Sequence, residues 1–192
     1  MSGRDELAIC KNLGIGYSEI LKENISFSMR QGEIVFVKGK NGSGKSTLIK
    51  TILGKLPAKA GSFQWNVDSQ KISYLPQVTN SSAHFSYTLK EILDIYEVPQ
   101  KYRSYLDSSI MPKRWVDSSG GEKQKTMILT RLTESTQILV LDEPFNHLDI
   151  QTIDSIQKLL STLVSNELKI SLLLISHFDV DFGEIPLTEV ML

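Results

Sequence analysis

The chain has 192 residues, of which 22% are charged and 41% apolar, and a formal net charge of −1. That length suffices for one domain with a proper core, and the composition is that of an ordinary soluble globular protein. The near-zero charge leaves no basic footprint for nucleic acid, and no apolar run approaches the roughly 20 residues that a membrane helix needs.

In chain order, Met1 to Glu6 is polar and acidic, where a signal peptide would be basic and then apolar. Any membrane role is therefore expected to come through a partner. Leu7 to Tyr17 and Ile25 to Arg30 read as two strands, with the clearest alternation at Ile25, Phe27 and Met29. Cys10, the single cysteine, cannot form an internal disulfide and fits a reducing cytoplasm. Tyr17 lies in a Gly-Tyr-Ser turn, where its ring can stack on a nucleotide base or simply pack at a strand rim.

Ile34 to Val37 is a short apolar, β-branched run of the kind found in buried parallel strands. It leads into Gly39, Lys40, Asn41, Gly42, Ser43, Gly44, Lys45, Ser46 and Thr47, which fits the phosphate-loop pattern G-x-x-x-x-G-K-[ST]. Leu48, Ile49, Ile52 and Leu53 follow at helical spacing, so the loop stands between a strand and a helix, as the motif requires. The glycines let successive N–H groups turn inward as an anion nest, and the helix start adds a positive dipole end. Lys45 is then placed to reach the β- and γ-phosphates, and the Ser46 hydroxyl to ligate Mg²⁺.

Gly54 to Pro57 breaks the helix, and Ser62 to Val67 and Ile72 to Leu75 read as short strands, the second closed by Pro76 and Gln77. Thr79 to Ser82 is polar and loop-like. Leu89, Ile92, Leu93 and Tyr96 form one helical face, and Gln100 to Pro112 reads as a weakly patterned helix plus loop. Ser118, Ser119, Gly120, Gly121 and Glu122 open a helix from about Glu122 to Thr133. Free N–H groups, glycines and a serine there suit a second anion site, and equally an ordinary capped helix.

Ile138 to Leu141 is an uninterrupted apolar run, hence a central parallel strand, ending in Asp142, Glu143 and Pro144. Ligands in such sheets bind beyond the carboxyl ends of the strands. There Asp142 suits Mg²⁺ ligation and Glu143 can point at a water. Asn146 to Asp149 forms a tight loop, and Ile153, Ile156, Leu159, Leu160 and Leu163 mark an amphipathic helix. Ile170 to Ile175 is another buried strand, which delivers Ser176 and His177 to the same end.

In this order the segments resemble the nucleotide-binding cassette of ABC ATPases over nearly the whole chain. Tyr17 matches the family's adenine-stacking aromatic, Gly39 to Thr47 its Walker A loop and Gln77 its Q-loop. Ser119 to Glu122 matches the signature motif, Leu139 to Glu143 Walker B, Asn146 to Asp149 the D-loop and His177 the switch histidine. Three departures stand out: Ser118 takes the place of the usual leucine, Glu122 replaces a frequent glutamine, and the chain ends soon after His177.

The resemblance implies an α/β fold: one P-loop NTPase cassette over 1–192, with a parallel sheet and flanking helices. It further implies an N-terminal antiparallel β subdomain and a small helical subdomain at about 79–133. It implies ATP and Mg²⁺ as ligands, with Ser46, Gln77 and Asp142 around the metal. Glu143 would be the general base, with His177 and Gln77 assisting at the γ-phosphate. Ser119, Gly120, Gly121, Glu122 and Asp149 would close over ATP held by a second ATPase subunit in a head-to-tail dimer. The expected setting is the cytoplasmic face of a cell membrane, with integral membrane subunits on separate chains and no nucleic acid. The strand leading to Gln77 and the Leu148-Asp149-Ile150 run lean towards importers of metals or metal chelates. The alternative is a soluble ABC ATPase working on a translation or DNA-repair machine.

Overall fold

The strands Ile34–Lys38 (β3), Ile138–Asp142 (β6) and Ser171–Ser176 (β7) are almost wholly apolar, because both of their faces are covered. In the computed structural model, which describes residues 6–77, 86–165 and 169–192, they form the middle of a five-stranded sheet. Its order is β5-β6-β7-β3-β8, where β5 is Ile72–Leu75 and β8 is Leu187–Met191, and every pairing is parallel. Three further strands, Glu6–Gly16 (β1), Ile20–Arg30 (β2) and Ala60–Trp65 (β4), make an antiparallel sheet in the order β2-β1-β4.

Alternation along the strands assigns the two faces. Ile34, Phe36, Leu139, Leu141, Leu172 and Leu174 pack on one side against Ile156, Leu160 and Leu163 of helix Ile150–Ser165 (α5) and Ile128 and Leu129 of helix Gly120–Leu129 (α4). Val35, Val37, Val140, Leu173 and Ile175 face the other way, onto Leu13, Ile15 and Met29 of the antiparallel sheet and onto helix Lys45–Ile52 (α1). The short helices Leu89–Ile95 (α2) and Gln100–Arg103 (α3) lie between β5 and α4. Leu89, Leu93, Tyr102 and Leu106 of that region join the first of these cores.

Register decides the rest. Val37 is opposite Ile175, and Ile175 is opposite Asp142, so β3, β6 and β7 end level with one another. The loop after β3, the acids after β6 and the histidine after β7 therefore emerge at one edge, as expected for a parallel sheet.

Several expected boundaries shift: strand β4 runs Ala60–Trp65 rather than Ser62 to Val67. Helix α4 begins at Gly120 rather than Glu122 and ends at Leu129, four residues before Thr133. Strand β1 stops at Gly16, before Tyr17, and β2 begins at Ile20. Strand β8 was not foreseen; it pairs with β3 along Leu187 to Met191. The polar segment Thr79 to Ser82 and the first five residues lie outside the described residues, as does the start of the 79–133 helical segment.

Candidate functional site

The loop after β3 is shaped by glycine. Gly42 and Gly44 have φ values of 84° and 102°, where side-chain-bearing residues are strained. A Cβ on Gly39 would fall on Ser43 Oγ, so the loop closes tightly only without one. Gly44 is the N-cap of α1, with no side-chain cap and no acid in the helix's first turn. The first N–H groups of α1 have no acceptor within the helix, as at every helix start. Ser43 Oγ is buried and has no hydrogen-bond partner among the described residues. A buried hydroxyl left unpaired beside the open amides of a helix start is the arrangement an anion completes.

Lys45 is buried and donates from Nζ to Gly39 O at 2.6 Å and Lys40 O at 3.1 Å. The same ammonium lies 3.1 Å from Glu143 Oε1. Glu143 Oε2 is 2.9 Å from His177 Nδ1, so the acid is held between a cation and an imidazole. Glu143 has φ 51°, a left-handed conformation that costs a non-glycine residue roughly 1–3 kcal/mol. Its N–H donates to Ile175 O at 2.8 Å, which ties the strained residue to β7. Asp142 is buried beside it. Desolvation, and then the Glu143 charge, push its carboxyl above the usual range, against bonds from Tyr74 Oη and the Gln77 N–H. Burial and the Asp142 charge push the Tyr74 phenol up to about 12, so it stays a donor, 3.3 Å from Asp142 Oδ2.

Asn41, Gly42, Gly44, Lys45, Ser46, Thr47, Gln77, Asp142, Glu143 and His177 line one cleft of about 610 Å³. Ser46, Gln77 and Asp142 offer it hydroxyl, amide and carboxylate oxygens, a hard donor set that suits Mg²⁺. The cleft thus sets an ammonium and a helix start beside two carboxylates and an imidazole, an arrangement that can hold an anion next to acid and base groups.

The other expected residues stand apart from it. Tyr17 is 56% exposed, and its Oη accepts from Lys50 Nζ at 3.1 Å. That bond holds the Tyr17 phenol below its ordinary value. Ser119, Gly121, Glu122 and Asp149 line a second cleft of about 390 Å³. There Ser119 Oγ accepts from Glu122 N–H at 3.2 Å, while Glu122 Oε2 accepts from Ser119 N–H at 2.6 Å. This is a complete capping box on α4, so within one chain the capped-helix reading holds. Asp149 caps the first turn of α5 by accepting from the N–H and hydroxyl of Thr152, at 2.9 and 2.8 Å.

Sequence reasoning passed over Tyr74, Leu21 and Lys113. Tyr74 is the polar-tipped aromatic three residues before Gln77, at a strand end that faces a buried acid. Leu21 lines the first cleft and limits the space at Gly44, where an added Cβ would lie 3.1 Å from Leu21 Cδ2. Lys113 binds Glu122 Oε2 at 2.8 Å. The readable signal there was the S-x-x-E capping pattern, whose acid invites a cation nearby.

The zinc import ATP-binding protein ZnuC 1 of Hahella chejuensis is 34% identical over 161 residues, which cover 82% of this chain and 62% of that protein. ZnuC of Acinetobacter baylyi is 37% identical over 139 residues, covering 70% of this chain and 53% of the relative. The chain thus spans a little over half the length of these curated relatives. Among solved structures, cbiO1 from Clostridium perfringens, part of the ABC transporter complex cbiONQ, superposes with a TM-score of 0.77 at 22% identity. That match covers 91% of this chain and 79% of the other and shows the shared fold, a P-loop NTPase core with an added antiparallel sheet. The family described as ABC transporter matches residues 22–146, from within β2 through both acids of the cleft, and the chain belongs to that family.

Proposed function

We propose that the chain binds ATP with Mg²⁺ and hydrolyses it to ADP and phosphate, as the ATPase subunit of a membrane transporter. The observation that carries this reading is the single cleft in which Lys45, Ser46, Gln77, Asp142, Glu143 and His177 converge, in a chain of the ABC transporter family. Lys45 and the amides of the phosphate loop hold the triphosphate. Ser46, Gln77 and Asp142 hold Mg²⁺, which neutralises charge on the phosphate oxygens when bound. Glu143, fixed at the end of β6, takes the proton of the attacking water, and His177 orients that carboxylate through the 2.9 Å contact.

Ser119 and Gly121 line the second cleft, and they act with the backbone of Gly120 on ATP held by another subunit, paired head-to-tail. A phosphoryl group exposed on one side to water lacks the enclosure that its transfer requires, which is what the second subunit supplies. In this reading the spanning segments belong to separate partner chains; among the described residues no helix is long and apolar enough to cross a membrane. The subunit then works from the cytoplasmic face. The relatives' names point to metal import, and zinc is the cargo first to be tested.

The test measures phosphate release from ATP and Mg²⁺ by the purified chain, alone and with a membrane-spanning protein isolated as its partner by co-purification. Turnover that rises with that partner supports the reading. A chain that binds no ATP, or binds it and releases no phosphate with the partner present, overturns it.

A further inference from the structure

The cleft that contains Ser119 is strongly acidic. Among the described residues, Asp107, Glu122 and Asp149 line it, with Lys125 as the one cation of the lining. Asp107 is taken up by Ser109 N–H, and Asp149 by the N–H and hydroxyl of Thr152, whose methyl group packs against Gly121. Glu122 is different. Its carboxylate folds back over the first turn of α4 to accept from Ser119 N–H at 2.6 Å, so a full negative charge sits at the mouth of that helix.

The helix end is equivalent to roughly +0.5 of an elementary charge, and one carboxylate turns that sum to about −0.5. A triphosphate approaching such a mouth is repelled. Lys113 reverses the sign: its Nζ lies 2.8 Å from Glu122 Oε2, which restores the sum to about +0.5. Burial would raise the Glu122 carboxyl, and the bonds from Lys113 and Ser119 N–H overcome this and hold it below the usual range, so the pair stays ionic. The lysine backbone is fixed as well. Lys113 N–H donates to Ile110 O and Lys113 O accepts from Leu89 N–H, at 2.9 Å each, so the ammonium is carried by a strap laid across the start of α2.

We propose that Lys113 is a charge-compensating positioning residue: it neutralises Glu122 so that the start of α4 can receive the triphosphate held by a second copy of the chain. This rests on the proposed reading that Ser119 to Glu122 faces nucleotide across a pair of subunits. Lys113 acts through Glu122 and touches no phosphate itself.

The test is a charge cycle in the full chain carrying Glu143→Gln, with ATP-dependent self-association followed by sedimentation. Lys113→Ala is expected to raise the ATP concentration for half-maximal association on the order of tenfold, the effect of one charge roughly 12 Å away at an effective dielectric near 20. Lys113→Arg keeps the cation and should stay close to the parent. Glu122→Gln should tighten association, and Lys113→Ala with Glu122→Gln should recover most of the loss. The deficit of Lys113→Ala should also shrink as salt is raised, because screening weakens the exposed repulsion. Lys113→Gln preserves more of the stem and serves in place of a poorly folding alanine variant, with thermal unfolding as the check.

A double variant as weak as Lys113→Ala, or a deficit that ignores salt, reduces the lysine to packing and overturns the inference alone. A parent that fails to associate with ATP overturns the shared-site reading and the inference together.

Discussion

Two helices in this chain begin next to glycines and a serine, and they begin in opposite ways. Helix α1 starts at Gly44, in a left-handed conformation, with no side-chain cap and no first-turn acid. Its neighbouring serine, Ser43, keeps a buried hydroxyl with no partner among the described residues. Helix α4 starts at Ser119 with both halves of a capping box made and an acid in its first turn. The first helix end is held ready for an anion by its own chain, whereas the second is capped at Ser119 and Glu122, which leaves the amides of Gly120 and Gly121 for a phosphate brought by a second subunit.

The largest expected effect breaks the α1 side of this comparison. Glu143→Gln removes the carboxylate between Lys45 and His177 while leaving the loop amides in place. Phosphate release should fall by about 10²–10⁴-fold, the usual range for a general base, with ATP binding retained. Wild-type turnover with ATP saturating would remove Glu143 from the role of base.

The next effect breaks the α4 side. A Cβ on Gly120 would meet only Leu148 Cδ2, at 3.4 Å, so Gly120→Trp can point its side chain outward without disrupting the chain's own packing. Gly121 has no such freedom, because a Cβ there would lie 2.6 Å from Thr152 Cγ2. Gly120→Trp should therefore fold normally, bind ATP in the first cleft, and lose ATP-dependent pairing. Each charge-assisted bond from Ser119 or the nearby amides to a phosphate across the pair is worth roughly 1.5–3 kcal/mol. Sedimentation with ATP, with ADP and without nucleotide reads the outcome, and pairing that survives in all three conditions counts against a nucleotide sandwich.

How much of this was legible in the sequence differs between the two helix starts. At α1 the pattern of glycines, lysine and serine is itself the site, and short-range order sufficed to place strand, loop and helix. Asp142 and His177 are expected together because each ends a buried strand of the sheet, whereas Gln77 is assigned to the site by the family resemblance alone. At α4 the same kind of reading left two outcomes open, because only coordinates show that Glu122 folds back and that Lys113 meets it. Strand β8 escaped for a related reason. Leu-Thr-Glu-Val-Met buries only Val190 fully, and its place in the sheet depends on pairing with β3 and on Lys38 bridging to Glu189 at 2.6 Å. Those contacts are long-range and leave little periodicity behind.

A smaller effect sharpens the α1 side. Tyr17 stands beside the start of α1, tethered by Lys50 from the same helix. Tyr17→Ala should weaken nucleotide binding by about five- to a hundredfold, the range for losing one stacked ring. Tyr17→Phe keeps the ring and gives up only an exposed hydrogen bond, so its loss should be slight. Equal losses in a fluorescent-nucleotide titration would move the role from the ring to the hydroxyl.

The smallest effect tests the comparison most directly, because it sets one serine against the other. Ser119 Oγ satisfies the N–H of Glu122 and anchors a reciprocal cap, so Ser119→Ala should lower stability by about 1 kcal/mol. In a chain of this size that is roughly 2–4 °C in Tm. Ser43 Oγ satisfies nothing within the described residues, and a buried hydroxyl without a partner carries a desolvation cost of about 1–3 kcal/mol. Ser43→Ala removes the hydroxyl together with that cost, so stability without nucleotide should hold or rise, while affinity for ATP falls. The two substitutions delete the same atom from the same residue type near similar glycines, yet the expected changes in stability have opposite signs. Denaturant midpoints measured without nucleotide decide the matter. Equal destabilisation by both changes would mean that the start of α1 is capped by its own serine after all, and the contrast between a waiting helix end and a capped one would disappear.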